Sequence, residues 1–345
     1  MLAIMNVGKY SSPAIQPSGA NVLRVLKDYT ASSVVSKFVK TDDIIIALGN
    51  NVIYYSDDDG ETWGSVSTTY NLFNVVYLDD KFYAIESTAD SDLHYGVSDD
   101  GITWTWNTIP DTSTSGKYYG HQITLDGADV RFTFAKIIGG TALTYNRFNF
   151  GESSSSEMYS YTASSSLITN TFLLKRNSFV ICWVTSVSGT NKYGIIASDA
   201  GISMISSTAS YANMWLLYSS YTACDTFFYA DGSTSTSASA TARRLCFSQN
   251  ATSWQDEASA LTYADGNKPY AYFKIGNAFY LAFMKNGGNS ATWARGASVP
   301  EIINIASSEI TTVSDVDLPS AVCDIGSKKV LVATKGSHIY LCETP

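Results

Sequence analysis

The chain has little charge, and basic residues are the scarcer kind. Among its 345 residues, 22 are lysine or arginine and 31 are aspartate or glutamate, which gives a formal net charge of −9. A nucleic-acid partner needs a basic surface that neutralises phosphates, so this composition argues against such a partner. Serine, threonine, glycine and 23 tyrosines are abundant instead. We interpret this composition as that of a strand-rich protein that works outside cells or in a virion.

Long apolar runs are also missing. No segment reaches the 18 or more apolar residues that suggest a membrane-spanning helix, so we expect no membrane insertion. Residues 1–6 do not combine a basic stretch with a following apolar one. This start predicts synthesis in the cytoplasm without an ordinary secretory signal.

Cysteine motifs are missing too. The five cysteines are Cys182, Cys224, Cys246, Cys323 and Cys342, and no two of them form a C-x-x-C pair. A zinc or redox site is therefore not supported. Apolar neighbours, as around Cys182, predict buried free thiols. We expect neither a metal ion nor a cofactor.

A short turn motif occurs twice near the N-terminus. Residues 56–63 read S-D-D-D-G-E-T-W, and about forty residues later residues 98–104 read S-D-D-G-I-T-W. A carboxylate in such a turn accepts hydrogen bonds from nearby backbone N–H groups, and the glycine supplies a positive φ. Residues 199–203 keep a degenerate D-x-G-x-S copy. The predicted structural residues are Ser56, Asp58, Gly60, Thr62, Trp63, Asp99, Gly101, Thr103, Trp104, Asp199, Gly201 and Ser203.

The spacing of these turns predicts an all-β chain of repeated four-stranded antiparallel sheets. About forty residues is the length of one blade of a β-propeller. Counting strands favours seven blades, with six as the alternative because the third blade has lost its turn motif. The last blade has only three strands of its own, so we predict that residues 21–27 supply the fourth. Residues 20–345 then form a single domain, preceded by an arm at residues 1–19.

The S-x-D-x-G-x-T-W pattern resembles the Asp-box, or BNR repeat, of sialidase-like β-propellers. The resemblance implies a propeller fold in which the box is a structural turn. Degenerate boxes of this kind also resemble those of tailed-bacteriophage tail proteins, which implies a tail or fibre component. Only the two N-terminal boxes are specific, although the blade pattern extends from about residue 30 to residue 345.

Catalytic motifs of the sialidases are missing. That family uses three arginines around a carboxylate, together with a tyrosine, a glutamate and an aspartate. None of the seven arginines here lies in its F/Y-R-I-P motif, and adjacent Arg243 and Arg244 would point to opposite faces of a strand. The acidic run at residues 57–59 fails the EF-hand pattern, since Tyr55 and Val66 would have to be calcium ligands. We therefore predict no catalytic residue and no enzyme activity.

Aromatic groups offer a different kind of site. Tyr118 with Tyr119, Trp104 with Trp106, and the tyrosines of residues 218–221 are candidate platforms for stacking on sugars. The expectation for most of them is packing between neighbouring sheets.

These observations predict a non-enzymatic structural and adhesion component of a bacteriophage virion. The expected partners are other virion or tail proteins, with host-surface glycan as a further candidate, in a homo-oligomeric assembly located in the virion. The alternative is a carbohydrate-binding or glycan-degrading Asp-box propeller.

Overall fold

The computed structural model describes residues 23–89, 92–112, 116–139, 142–162, 168–176, 179–186, 192–197, 213–216, 228–233, 243–248, 255–256, 268–276, 278–284, 290–296 and 311–344. All regular secondary structure in these residues is β-strand. No helix among them has the length and hydrophobicity that a membrane span requires.

The strands are short and separated mostly by tight turns. From the N-terminus to residue 162 they are β1 (Arg24–Thr30), β2 (Lys37–Lys40), β3 (Ile45–Gly49), β4 (Val52–Ser56), β5 (Gly64–Ser67), β6 (Leu72–Leu78), β7 (Lys81–Glu86), β8 (Thr88–Ala89), β9 (His94–Ser98), β10 (Thr105–Thr108), β11 (Lys117–Asp126), β12 (Asp129–Ile138), β13 (Ala142–Asn149) and β14 (Ser156–Thr162). The remaining strands are β15 (Ile168–Arg176), β16 (Phe179–Ser186), β17 (Lys192–Ala197), β18 (Asn213–Leu216), β19 (Phe228–Ser233), β20 (Arg243–Ser248), β21 (Gln255–Asp256), β22 (Lys268–Ile275), β23 (Ala278–Met284), β24 (Ser290–Gly296), β25 (Thr311–Asp317), β26 (Pro319–Gly326), β27 (Lys329–Thr334) and β28 (His338–Glu343).

These strands form seven sheets in the part of the chain that the structure describes. Their strand orders are β2-β3-β4-β5, β10-β9-β7-β6, β14-β13-β12-β11-β8, β15-β16-β17, β18-β19-β20-β21, β22-β23-β24-β25 and β1-β28-β27-β26. Nearly every neighbour in a sheet is also a neighbour in sequence, as in an up-and-down meander. The predicted all-β architecture of four-stranded antiparallel sheets is confirmed, whereas seven or six blades remains a prediction.

The chain divides into two compact units. One comprises the described parts of residues 1–49, 54–65 and 209–345, and the other those of residues 50–53 and 66–208. In the first unit, Phe273 and Tyr280 pack in one core cluster with Tyr340. In the second, Tyr95 and Phe132 lie in one core cluster, and their ring centroids are 4.9 Å apart. Large aromatic side chains therefore fill the space between neighbouring sheets inside each unit.

An N-terminal strand completes the last sheet, as the sequence predicts. We call β1, β28, β27 and β26 the closing sheet. Its strand β1 pairs antiparallel with β28, from Arg24 opposite Glu343 to Thr30 opposite His338. The strand ends at Thr30, three residues beyond the predicted residue 27, since its pairing with β28 continues that far. The predicted arm at residues 1–19 lies outside the described residues, and the single domain over residues 20–345 stays a prediction.

The third sheet contains a strand that the sequence does not reveal. The short β8 pairs with the edge of β11, with Thr88 opposite Tyr119. Just before it, the carbonyl oxygen of Ser87 accepts a hydrogen bond from the Gly120 amide, at 3.0 Å. We call residues 86–89 the strap, because this segment leaves the second sheet at the end of β7 and binds the third.

The two cysteines whose side chains the structure describes are free thiols. Cys342 is buried, and Cys323 is half-buried in the same closing sheet. Burial raises the pKa of the Cys323 thiol to about 12. Both therefore lie in an environment that opposes thiolate formation and reactivity.

Within the described residues, two buried hydroxyl groups of the closing sheet have no hydrogen-bond partner, those of Ser320 and Thr334. Because an unpaired buried hydroxyl is destabilising, Thr334→Val is expected to raise the free energy of unfolding by about 1 kcal/mol. Urea unfolding of the purified variant measures this change. The matched control is Thr112→Val, because the Thr112 hydroxyl accepts from the Leu93 amide at 3.0 Å and donates to the Ile109 carbonyl at 2.7 Å. A loss of stability in both variants would contradict the prediction.

Candidate functional site

The first box is a closed hydrogen-bonded turn between β4 and β5. The Ser56 hydroxyl donates to Asp58 Oδ1 at 2.9 Å and accepts from the Gly60 amide at 2.8 Å. The Asp58 carboxylate also accepts from the Thr62 amide at 2.8 Å and from the Thr62 hydroxyl at 2.6 Å. Gly60 has a φ of 84°, a conformation that side chains rarely adopt. The carboxylate is therefore engaged within its own turn.

Hydrogen bonding changes the acidity of this carboxylate. Burial alone raises the pKa of Asp58, but the hydrogen bonds from Thr62 and Ser56 outweigh burial and bring the pKa below its usual value. Since the folded pKa is the lower one, the stabilisation is present above the unfolded pKa of about 3.9 and is lost as the pH falls through the folded value.

The pH dependence of unfolding tests this arrangement. The stability difference between the wild type and Asp58→Asn is expected to shrink as the pH falls from 7 through the range below 4. Urea unfolding at a series of pH values measures it. A difference that stays constant over that range would show that ionised Asp58 does not stabilise the turn.

The first box also contacts the closing sheet. A methyl group on Gly60 would lie 2.6 Å from Leu331 Cδ2, so the turn packs directly against β27. Glu61 forms ion pairs with Lys27 of β1 and with Lys329 of β27. The hydrogen bond from Lys27 is the largest effect that lowers the pKa of Glu61. This box therefore links two sheets as well as two strands.

Trp63, the last residue of the first box, is buried between the first sheet and the closing sheet. Its side chain is 4% exposed. Its ring lies 6.3 Å from the ring of Tyr29 on β1 and 6.3 Å from the ring of Phe38 on β2, measured between centroids.

The second box corrects one prediction. Asp99 is the bridging residue predicted from the sequence, but Asp100 Oδ1 accepts from the Ile102 amide at 2.8 Å and from the Thr103 amide at 2.6 Å. Asp99 is 80% exposed and pairs with Lys81. The reason is spacing: the second box has one residue fewer between its serine and its glycine. The bridging carboxylate keeps its distance from the serine, which donates to Asp100 at 3.0 Å.

Gly101 and Trp104 of the second box are also hydrogen-bonded within the turn. Gly101 donates its amide to the Ser98 hydroxyl at 2.8 Å and accepts from Trp104 Nε1 at 2.9 Å. The predicted residues Asp199, Gly201 and Ser203 lie outside the described residues.

Paired alanine variants distinguish the two neighbouring aspartates. Asp100→Ala is expected to lower the free energy of unfolding by about 1 kcal/mol, because two amides and a hydroxyl lose their acceptor. Asp99→Ala is expected to change it less, since an exposed ion pair contributes little. Urea unfolding of both variants measures these changes. A larger loss of unfolding free energy in Asp99→Ala than in Asp100→Ala would restore Asp99 as the bridging residue.

Four aromatic side chains form a continuous surface on the second sheet. We call Tyr70, His94, Trp104 and Trp106 the aromatic ladder. Tyr70 stacks on His94 with ring centroids 4.4 Å apart and lies 4.9 Å from Trp106, which in turn stacks on Trp104 at 5.7 Å. All four are half-buried, and Trp106 lies on β10, the edge strand of its sheet. The ladder is our candidate functional site.

Because Gly96 has no side chain, the indoles of Trp104 and Trp106 can pack directly against its backbone. It pairs with Trp106 across β9 and β10. A methyl group at Gly96 would lie 2.6 Å from the ring of Trp106 and 2.9 Å from the ring of Trp104. A glycine inside a strand often marks such a close approach, and this signal was available in the sequence.

Glu86 fixes the imidazole at one end of the ladder. Its Oε2 accepts from the His94 backbone amide at 3.1 Å and from His94 Nδ1 at 3.0 Å. The Glu86 side chain is 13% exposed. The imidazole is thus held in one orientation, with Nε2 left for another partner. The sequence analysis missed Tyr70, Glu86 and His94, because they come from segments outside the box.

The other predicted platforms differ from the ladder. Tyr118 is 0% exposed and Tyr119 is 8% exposed, so this pair belongs to the core and offers no ring face to a ligand. The tyrosines of residues 218–221 lie outside the described residues. Among the described residues, no group of three His, Cys, Asp or Glu side chains is arranged to hold a metal ion.

Comparison with solved structures establishes the fold. A chain of the mitotic checkpoint complex aligns with a TM-score of 0.56 and 9% identity over 96% of this chain and 97% of that chain. The extracellular domain of a putative hybrid two-component system from B. thetaiotaomicron aligns with a TM-score of 0.57 and 8% identity, over 94% of this chain and 42% of that one. A prolyl endopeptidase aligns with a TM-score of 0.51 and 9% identity, over 91% and 50%.

The propeller architecture is common to these similarities, and the chain has a β-propeller fold. No protein-family model and no curated protein matches the sequence. At identities of 8 to 9% the similarity concerns the fold alone.

Proposed function

We propose that the protein is a non-enzymatic structural and adhesion component of a bacteriophage virion, located in the tail or tail tip. The geometry of the two boxes supports the proposal that the protein is not an enzyme. Asp58 and Asp100 accept hydrogen bonds from their own turns, and Asp59, Glu61 and Asp99 lie in ion pairs with lysines. These carboxylates act as structural groups.

The role in a virion rests on the resemblance of the degenerate boxes to those of phage tail proteins. It is supported by a composition with only 15% charged residues, in which neutral hydroxyl groups and aromatic rings replace charges. In this proposal the neighbours are other tail proteins and further copies of the chain. Residues 1–19 are the proposed docking arm.

Analysis of purified particles tests the proposal. Antibodies against the purified protein are expected to detect it in virions purified by density gradient, and immunogold electron microscopy is expected to place it on the tail. The control is a known tail protein from the same particles. Absence of the protein from virions that contain this control would overturn the proposal.

A carbohydrate-binding or glycan-degrading propeller is the second candidate. The aromatic ladder favours binding, since rings with polar groups at their edges are common in sites for small ligands. Incubation with host polysaccharide followed by chromatography of released sugars distinguishes the two forms of this candidate. Release of oligosaccharides would identify an enzyme, and binding without release would identify an adhesin.

A further inference from the structure

We infer that the aromatic ladder binds a neutral pyranose of a surface glycan. This inference rests on the proposed adhesion function, and it names the ligand class and the residues that contact it. The four rings of the ladder lie together, with Trp106 on β10, an edge strand of the second sheet.

The first argument is the apolar surface. The rings pack one against the next at centroid distances of 4.4, 4.9 and 5.7 Å, and the Tyr70–His94 and Trp104–Trp106 pairs are stacked, so the four form one continuous aromatic cluster. Each ring keeps part of its area exposed. Sugars have apolar C–H faces that pack on aromatic rings, and the parts of these rings that stay exposed offer such an apolar surface.

The second argument is a set of polar groups at the ring edges. Within the described residues, the Tyr70 hydroxyl, His94 Nε2 and Trp106 Nε1 make no hydrogen bond, whereas Trp104 Nε1 donates to the Gly101 carbonyl. Polar groups placed around an aromatic surface fix the orientation of a ligand. Hydroxyl groups of a sugar both donate and accept, so they satisfy all three.

The third argument concerns charge. In the described part of the chain, Glu86 is the carboxylate that bonds to the ladder, and it is already engaged by the backbone amide and the ring of His94. Among the described residues, neither lysine nor arginine contacts any of the four rings. Recognition of a sugar carboxylate normally uses such a cation. The ladder therefore suits a neutral sugar better than a sialylated one.

The fourth argument is rigidity. Glu86 holds His94, Gly96 seats both indoles, and the turn at Asp100 fixes the strand that carries Trp106. Side chains that are already ordered lose little conformational entropy on binding. The ladder is therefore preorganised for ligand binding.

A glycan array carrying neutral oligosaccharides of glucose, galactose, mannose and N-acetylglucosamine, beside sialylated ones, tests the inference. We expect the full-length protein to bind neutral oligosaccharides. Titration calorimetry with the best neutral oligosaccharide is expected to show a loss of about tenfold or more in affinity for Trp106→Ala. Tyr70→Phe removes only the hydroxyl group and is expected to weaken binding by a smaller factor.

Tyr77→Ala is the matched control, because Tyr77 is a 39% exposed aromatic residue of the same sheet outside the ladder. Its affinity is expected to equal that of the wild type, and thermal unfolding verifies that each variant is folded. Binding of sialylated glycans alone, no binding of neutral glycans, or unchanged affinity in Trp106→Ala would each overturn the inference. Detection of the protein in virions is a separate readout, so a failed ladder leaves the proposed location intact.

Discussion

Replacement of Trp63 by alanine is expected to lower the free energy of unfolding by about 3–5 kcal/mol. The indole is 4% exposed and contacts the rings of Tyr29 and Phe38, which belong to the closing sheet and to the first sheet. Removal leaves a cavity that two sheets border, and the surrounding residues fill such a cavity only in part. Equilibrium unfolding in urea, followed by circular dichroism, measures the loss.

Trp104→Ala is the matched control for this experiment. Trp104 occupies the same position of the second box but is only half-buried. Its removal is expected to cost clearly less, because less apolar area returns to water. Equal losses in the two variants would contradict the view that the first box has the additional role of joining sheets.

Replacement of Gly120 by alanine is expected to lower the free energy of unfolding by about 3 kcal/mol, at the upper end of the cost of overpacking. A methyl group at this position would overlap the carbonyl oxygen of Glu86 and lie 2.9 Å from Ile85 Cγ1. A backbone atom cannot rotate away as a side chain does. The hydrogen bond from the Gly120 amide to Ser87 would be strained as well.

Gly116→Ala provides the comparison, since the nearest atom to a methyl group there is Lys136 Cε, at 2.9 Å, on a flexible side chain. We expect a small effect from this change. Hydrogen exchange adds a local readout: the amides of the strap are expected to lose protection in Gly120→Ala and to keep it in Gly116→Ala. A Gly120→Ala variant as stable as the wild type would show that the strap is not held tightly.

The sequence predicts the repeated part of the fold well. The two described turns with an aspartate and a glycine each mark one hairpin, and the shortage of strands at the C-terminal end indicates that an N-terminal strand is needed. Alternation of apolar residues in the sequence identifies β1 to within three residues of its observed bounds. Box spacing and alternation are local properties, and a sequence displays them directly.

Features that depend on one residue or on distant segments were not predictable in the same way. The two aspartates at positions 99 and 100 are chemically identical, and the distance from Ser98 rather than from Gly101 decides which one bridges the turn. Strand β8 has two residues and therefore no periodicity. The ladder joins Tyr70 and His94 to the box tryptophan, and only Gly96 hinted at the close approach.

The pairing of β1 with β28 has a consequence for biosynthesis. Arg24 and Glu343 lie 319 residues apart in sequence and form an ion pair in the folded protein. The closing sheet cannot be completed until β28 has emerged from the ribosome, and a contact between such distant segments forms slowly. During translation β1 is synthesised long before its partner strand β28. Until β28 is available, Tyr29 and Leu23 cannot reach the buried positions that they have in the folded protein. The apolar surface exposed before this sheet is complete therefore makes the nascent chain prone to aggregation.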